Sequence, residues 1–255
     1  KDVFPFIGNH PITEISPPLL LEVIRKVEAR GAHDIAQRNL QTCGQIFRYA
    51  IQTGRAERDA AADLRGALSQ YTKNHYACID LKELPELLRA IEKNEPRLFP
   101  QTIVATRLLM LTFVRTSELI QAKWDEFDLD NAEWIIPAER MKMRKQHIVP
   151  LSSQAVEYLR ELQKWNGHRE WVFPNQVRPN QPMSNNTILG VFRRLGYKGR
   201  MTGHGCRALA MSAIKEKLGY RHEVVDRQLA HAKRSKVDKA YDRAQFLDER
   251  KKMMQ

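Results

Sequence analysis

Helical periodicity governs most of this 255-residue chain and gives way only once, over residues 127–151, to a pattern typical of strands. Residues 127–137 (FDLDNAEWIIP) contain a turn at Asp130-Asn131 followed by a β-rich run, and His147–Pro150 reads as another short strand. We therefore expect a small antiparallel sheet of two or three strands set among helices, in a fold that is mainly α.

Apolar residues at helical spacing predict the helices around this sheet. Ser16 is a typical capping residue, and Pro17 and Pro18 after it suit a first helical turn, where a missing N–H costs little. The predicted helices span residues 19–30, 32–53, 60–68, 81–93, 101–114, 152–165, 186–195, 205–218, 222–230 and 235–254.

The periodicity fails over Ser69–Asp80, which is the best candidate for a linker. The length of the chain suits two domains. We predict a small all-helical domain over residues 1–75 and a larger, mostly helical domain with the sheet over residues 76–255. The opening residues, Lys1-Asp2-Val3, read like the interior of a longer protein.

The charge of the chain favours a polyanionic partner. There are 42 Lys and Arg against 30 Asp and Glu, a net charge of +12. Residues 1–78 carry 10 basic against 8 acidic residues, whereas residues 79–255 carry 32 against 22. A basic excess by itself also occurs in proteins that bind no nucleic acid, so its location in the second domain is the more informative observation.

Two classes of protein are disfavoured. No apolar run approaches the ~18 residues of a membrane span. Cys43, Cys78 and Cys206 are far apart and form no CxxC pair, which favours a reducing compartment over a disulfide frame or a cysteine zinc site. We expect a cytoplasmic protein that does not enter the membrane.

Four short motifs stand out in the second domain. They are FVRTSEL with Arg115 and Glu118, MKMRKQHIVPL with Lys142, TGHGCR with His204 and Arg207, and LAH with His231 followed ten residues later by Tyr241.

Each motif has an ordinary alternative. Tyr241 would often be a core residue of an amphipathic helix, and Arg115 a charge at a helix end. Lys142 lies in a charged turn with Arg140, Arg144 and Lys145, a pattern that usually means a solvated surface. His204 and His231 could join a zinc site, although no third ligand has compatible spacing.

Taken in order, Arg, Lys, His-x-x-Arg, His and Tyr resemble the active-site signature of tyrosine site-specific recombinases. The flanking sequence is similar to integrases of prophages and genomic islands. The resemblance is strong over residues 79–255 and rests on a helical domain alone over residues 1–78. The chain departs from the pattern at Thr116-Ser117, where Pro-Gly is common, and at Cys206, where an aromatic residue is usual.

The resemblance implies a nucleophile and an acid. Tyr241 would attack phosphorus and form a 3′-phosphotyrosyl bond, and Lys142 would protonate the departing 5′ oxygen. Lys142 is preferred to Lys145 because its distance to Pro150 matches the family.

The remaining residues would bind the phosphate. Arg115 and Arg207 would hold the non-bridging oxygens, since guanidinium binds phosphate in a bidentate manner. His204 would lie beside Arg207 at a helix start, and His231 would donate to the phosphate or position the phenol. Glu118 would orient Arg115, and no metal or cofactor is implied.

The family further implies partners. The first domain would bind double-stranded DNA at core attachment sites, and the chain would form a tetramer on DNA and a monomer when free. DNA-bending accessory proteins, a bacterial nucleoid location, and an arm-binding domain beyond this chain are also implied. The segment Phe246–Gln255 would dock either on a neighbouring protomer or on its own domain. The alternatives to recombination are a type IB topoisomerase and a catalytically silent DNA-binding regulator with the same fold.

Overall fold

The computed structural model describes residues 1–69, 76–231 and 245–255 of the chain. The chain divides into two compact units, Lys1–His75 and Tyr76–Gln255. Within the described ranges, no helix combines the length and apolar character that a membrane crossing requires.

The first unit is built on two long helices. They are α2, Pro17–Glu28, and α3, His33–Gln52, after a short α1 at Phe4–Ile7. As predicted, Ser16 caps α2, where its Oγ accepts a hydrogen bond from the Leu19 N–H at 3.4 Å. Leu20 and Ile24 are fully buried and pack with Phe47 of α3 in one core.

The predicted helix over residues 60–68 is wrong. The structure has only a 3₁₀ turn at Ala62–Leu64. Asp59 Oδ1 accepts the N–H groups of Ala61 and Ala62 at 3.0 and 3.3 Å, and Gly66 at φ 84° turns the chain away. The segment between Asp59 and Gly66 is therefore too short to form a stable α-helix.

The second unit consists of eight described helices around the sheet. Seven begin or end near the predicted positions, whereas the five-residue α6 was not predicted. Of the predicted helix 235–254, only the end lies in the described part of the chain. The helices are α4 Leu84–Lys93, α5 Pro100–Thr112, α6 Thr116–Ile120, α7 Ser153–Asn166, α8 Asn185–Arg194, α9 Gly203–Lys217, α10 His222–Gln228 and α11 Leu247–Met254.

The expected sheet is present and has three antiparallel strands in the order β1-β2-β3: β1 Phe127–Asp128, β2 Glu133–Ile136 and β3 His147–Pro150. Trp134 pairs with Phe127 on one side and Val149 on the other. The mainly α fold with a small antiparallel sheet is confirmed.

Helix α5 lies at the centre of this unit and contacts α6, α7, α8 and α9. Its residues Leu108 and Leu109 are fully buried. Helix α11 packs on α10 and on β3 of its own unit, so Phe246–Gln255 takes the second of its two expected positions in this structure.

The start of α9 is fixed by a close backbone approach. The Thr202 hydroxyl accepts the Gly205 N–H at 2.9 Å and donates to the Ala77 carbonyl at 3.3 Å. Cys78 Sγ lies 3.2 Å from the Gly205 carbonyl. A Cβ at Gly205 would lie 2.4 Å from the Ala77 oxygen, so this position requires glycine.

We predict that Gly205→Ala destabilises the protein by ~1–3 kcal/mol, because the added methyl group meets backbone that cannot rotate away. The matched control is Gly190→Ala in α8, where an added Cβ meets nothing within 4 Å. The control should be neutral or stabilising by up to ~1 kcal/mol. Urea unfolding of both variants measures the difference, and equal stabilities would contradict the close approach.

Candidate active site

Arg115 stands at the start of α6 and is held there by Glu118. The Glu118 carboxylate accepts the Arg115 backbone N–H at 2.7 Å and its Nη1 at 2.6 Å. Glu118 is 3% exposed, whereas Arg115 keeps 21% of its side chain exposed. The buried carboxylate thus orients a guanidinium that still reaches solvent.

Arg207, on the second turn of α9, is buried and joins two turns of the chain. Its Nη1 donates to the Phe113 carbonyl and its Nη2 to the Leu229 carbonyl. Each of these carbonyls lies two residues ahead of a predicted site residue, Arg115 in one case and His231 in the other. Burial, followed by the charge of Arg115, lowers the pKa of Arg207 to about 10, so it remains charged at neutral pH.

The two arginines converge on the same turn. Arg115 Nη2 donates to the Ala230 carbonyl at 3.1 Å, next to the Leu229 carbonyl that Arg207 binds. Ala230 has the left-handed φ of 47°, a conformation that costs a non-glycine residue free energy. The arginines therefore stabilise the turn from which His231 projects.

His231 is positioned by Asp226. Its backbone N–H donates to the Asp226 carbonyl at 3.0 Å, and its Nδ1 lies 3.1 Å from Asp226 Oδ1. Since a carboxylate only accepts, Nδ1 carries the proton and Nε2 is left for another partner. The pKa of His231 is lowered by burial first and by Arg207, although Asp226 opposes this.

His204, on the first turn of α9, is exposed and lies against Tyr76, with ring centroids 4.3 Å apart and ring planes inclined by 46°. Partial burial, then the positive charges of Arg207 and Arg115, lower its pKa. His204 is therefore neutral at pH 7 and lies in the field of both arginines.

Lys142 is exposed in the loop between β2 and β3, and nothing in the described part of the chain hydrogen-bonds to it. The interpretation of the neighbouring charges as a solvated run is wrong for Arg140. Its side chain is only 13% exposed and forms an ion pair with Glu126, which is 6% exposed. The sequence of this charged segment contains no signal that Arg140 would be buried.

Tyr241 belongs to residues 232–244, outside the described residues. The structure thus brings Arg115, Glu118, His204, Arg207 and His231 together and leaves Lys142 on an adjacent loop. Within the described ranges, no group of three or more His, Cys, Asp or Glu residues is arranged to hold a metal ion.

Sequence reasoning missed a buried polar network behind the site. Gln228 at the end of α10 donates from Nε2 to the Thr112 carbonyl at 3.1 Å. Its Oε1 accepts from Arg250 Nε and Nη2 at 3.0 and 2.9 Å. Its backbone carbonyl accepts a hydrogen bond from His147 Nε2 at 3.1 Å, so the neutral imidazole carries its hydrogen on Nε2. Hydrophobic patterning around α11 gave no sign that Arg250 would be fully buried.

The arrangement suits an anion. Two guanidinium groups lie near two histidines that are neutral at pH 7, at the N-terminal end of a 15-residue helix. Each guanidinium has five N–H donors, of which two are engaged by the hydrogen bonds above. The remaining donors and the neutral imidazoles are the groups that phosphoryl transfer needs.

Comparisons with known proteins identify the family of the chain. The profile of the Phage integrase family matches residues 78–247, and the Phage integrase central domain matches residues 1–67. The integrase of Enterobacteria phage P4 is 39% identical over 268 residues, covering 99% of this chain. The chain spans 61% of that relative's length.

Solved structures share the fold. A lambda integrase (75–356) dimer bound to a COC′ core site superposes with a TM-score of 0.68 at 18% identity, covering 94% of this chain and 84% of that one. A lambda integrase tetramer bound to a Holliday junction gives a TM-score of 0.66 at 18% identity, over 88% of this chain and 66% of that one.

The buried His147 predicts a loss of stability in acid. Burial, followed by the charge of Arg250, lowers its pKa from 6.5 to about 3. Between about pH 3 and pH 6.5, the His147 imidazole therefore binds a proton in the unfolded chain but not in the folded chain. The stability that depends on the neutral form is present above pH 6.5 and is lost as the pH falls towards 3.

We expect His147 to account for a loss of about 2 kcal/mol in unfolding free energy between pH 7 and pH 5. His147→Gln, which can still donate to the Gln228 carbonyl, should remove this share of the pH dependence in urea unfolding. The exposed His168→Gln is the control and should keep the wild-type pH profile. An unchanged profile for His147→Gln would contradict the assignment.

Proposed function

The chain belongs to the phage integrase family of tyrosine recombinases, and on that premise we propose that it cleaves and rejoins double-stranded DNA at specific sites, integrating or excising a mobile element. The observation that carries the proposal is the convergence of Arg115 and Arg207 on the Leu229–Ala230 turn, beside His204 and His231. The type IB topoisomerase and the silent regulator are not favoured, because the named relatives are integrases.

In the proposed reaction, the Tyr241 phenolic oxygen attacks the scissile phosphorus. A bond forms between this oxygen and phosphorus, the P–O5′ bond breaks, and a 3′-phosphotyrosyl link retains the bond energy. Rejoining is the reverse step, in which a 5′ hydroxyl displaces tyrosine. Neither direction requires ATP or a metal ion to balance.

Arg115 and Arg207 bind the non-bridging oxygens as negative charge develops on them. Glu118 and the carbonyls of Phe113, Leu229 and Ala230 hold both guanidiniums in place before DNA binds, so little reorganisation is needed in the transition state.

Proton transfer is divided between three side chains. The lowered pKa of His204 favours its neutral form, in which one ring nitrogen is free to accept the phenolic proton. The neutral His231 presents an unprotonated Nε2, because Asp226 occupies the Nδ1 hydrogen, and this nitrogen accepts a hydrogen bond that positions the phenol. Lys142, unpaired within the described residues, gives its proton to the 5′ oxygen.

For the assembly, we propose that residues 1–75 form a core-site-binding domain and residues 76–255 the catalytic domain. The lambda integrase structures include a dimer on a core site and a tetramer on a Holliday junction. By analogy, four copies of this protein would act on two duplexes, starting from free monomers and aided by DNA-bending proteins. The basic charge and the absence of a CxxC pair favour action at the bacterial nucleoid.

The nucleophile is tested by Tyr241→Phe. The variant should form no SDS-resistant adduct with a nicked core-site duplex, because it lacks the attacking oxygen. Core-site binding should stay within about 1 kcal/mol of wild type, since phosphate contacts elsewhere dominate affinity. Adduct formation by the Phe variant would rule out the assignment of Tyr241.

The acid is tested by Lys142→Ala with two substrates. Cleavage of the ordinary substrate should slow by about 10²–10⁴-fold, the range for lost general acid catalysis. A substrate with sulfur at the bridging 5′ position should restore most of the rate, because its leaving group needs no proton.

Three further variants complete this test. Arg115→Ala and Arg207→Ala should not be rescued, since they act on the non-bridging oxygens. Lys145→Ala should remain near wild type on both substrates. If Lys145→Ala shows the defect and the rescue, the acid is Lys145; if sulfur rescues neither lysine variant, the proton comes from another group.

A further inference from the structure

Arg140 is the buried member of an otherwise exposed loop. It ends the 3₁₀ turn Ala138–Arg140 and precedes Lys142 by two residues. Residues 142–146 are all exposed, whereas Arg140 is mostly buried and Met141 fully so. The exposed part of the loop therefore begins directly after two largely buried residues, Arg140 and Met141.

The Arg140 guanidinium connects three elements. Nη1 donates to both carboxylate oxygens of Glu126, and Nη2 donates to the backbone carbonyl of Glu118 in α6. Glu126 Oε2 also accepts the Trp134 indole N–H from β2 at 2.9 Å. The 3₁₀ turn ahead of Lys142, the sheet and α6 are thereby tied to one ion pair.

Folding stability by itself does not explain why this ion pair is buried. Burying two charges costs desolvation that their attraction often fails to recover. In addition, Arg140 Nε is buried with no hydrogen-bond partner among the described residues. An apolar pair of similar volume would fill the same space, so the geometry of the charged pair needs another reason.

The ion pair connects two parts of the proposed active site. Glu118, whose carbonyl Arg140 binds, uses its side chain to orient Arg115. On the other side, the path from Arg140 to Lys142 is only two residues long. Arg140 thus connects Arg115, the proposed ligand of the non-bridging oxygens, with Lys142, the proposed acid for the leaving oxygen.

We propose that Arg140, together with Glu126, is a positioning residue that fixes the Lys142 loop relative to the start of α6. The inference rests on the proposed function, because it concerns the placement of the acid. Lys142 itself has no partner that would place it in the described residues, so its position is inherited from Arg140 and Met141. After Lys142, the Arg144 N–H donates to the Met141 carbonyl at 2.9 Å and so ties the loop back to an anchored residue.

The test compares Arg140→Lys and Glu126→Gln on the ordinary and the bridging-sulfur substrates. Lysine keeps the charge but cannot contact Glu126 and the Glu118 carbonyl with a planar fork. Glutamine keeps the acceptor for Trp134 and removes the charge. Single-turnover cleavage at saturating protein should slow by roughly 10- to 100-fold on the ordinary substrate, as expected for a catalytic group displaced by ~1 Å. On the sulfur substrate both variants should lie within about threefold of wild type, because no acid is needed there.

The matched control is Arg144→Lys, an exposed arginine of the same loop, which should cleave both substrates like wild type. Slow cleavage of both substrates by Arg140→Lys and Glu126→Gln would overturn the proposal, since it indicates a general defect or one acting through Arg115. Unchanged cleavage of the ordinary substrate by both would overturn it as well. If one variant fails to fold in thermal unfolding, the other decides. Wild-type protein that forms no adduct on either substrate would instead refute the proposed function.

Discussion

The buried guanidinium of Arg207 is the interaction on which the site depends. It joins the carbonyls of Phe113 and Leu229, which are distant in sequence. Phe113 and Ala230 both have left-handed backbone conformations, at φ 58° and 47°. Such conformations persist only where surrounding contacts hold them. By binding at both turns, Arg207 sets the direction in which the chain leaves each one, towards Arg115 and towards His231.

Electrostatic balance follows from the same contacts. Arg115 and Arg207 are close enough that each charge affects the other, and Glu118 offsets this repulsion from a buried position. The positive charge of the two arginines also acts on His204 and His231. Together with burial, it lowers the pKa of both imidazoles. The cationic pocket proposed to bind a phosphate thus also favours the neutral forms of its histidines.

Local sequence signals predicted the local features well. The cap at Ser16 and the turn at Asp130-Asn131 each depend on residues within a few positions of one another. The ordered motifs named Arg115, His204 and His231, which lie close to Arg207, whereas Tyr241 lies outside the described residues and Lys142 is on a separate loop. Contacts between distant segments were not predictable, because Arg140 and Arg250 look like surface charges until the carbonyls of Glu118 and Ile148 are brought to them. The short α6 escaped notice because five residues are too few to show a period.

Helix α11 also acts as a cover. β3 is the last strand of the sheet, and no strand of the described ranges pairs with its outer edge. Arg250 binds the Ile148 carbonyl on that edge, while Lys251 pairs with Glu133 of β2 at 2.7 Å. Uncovered strand edges with free carbonyl and N–H groups recruit other chains by edge-to-edge pairing. A chain shortened before Leu247 would expose this edge together with the apolar surface beneath Met253 and Met254, and the shortened protein would then self-associate into aggregates.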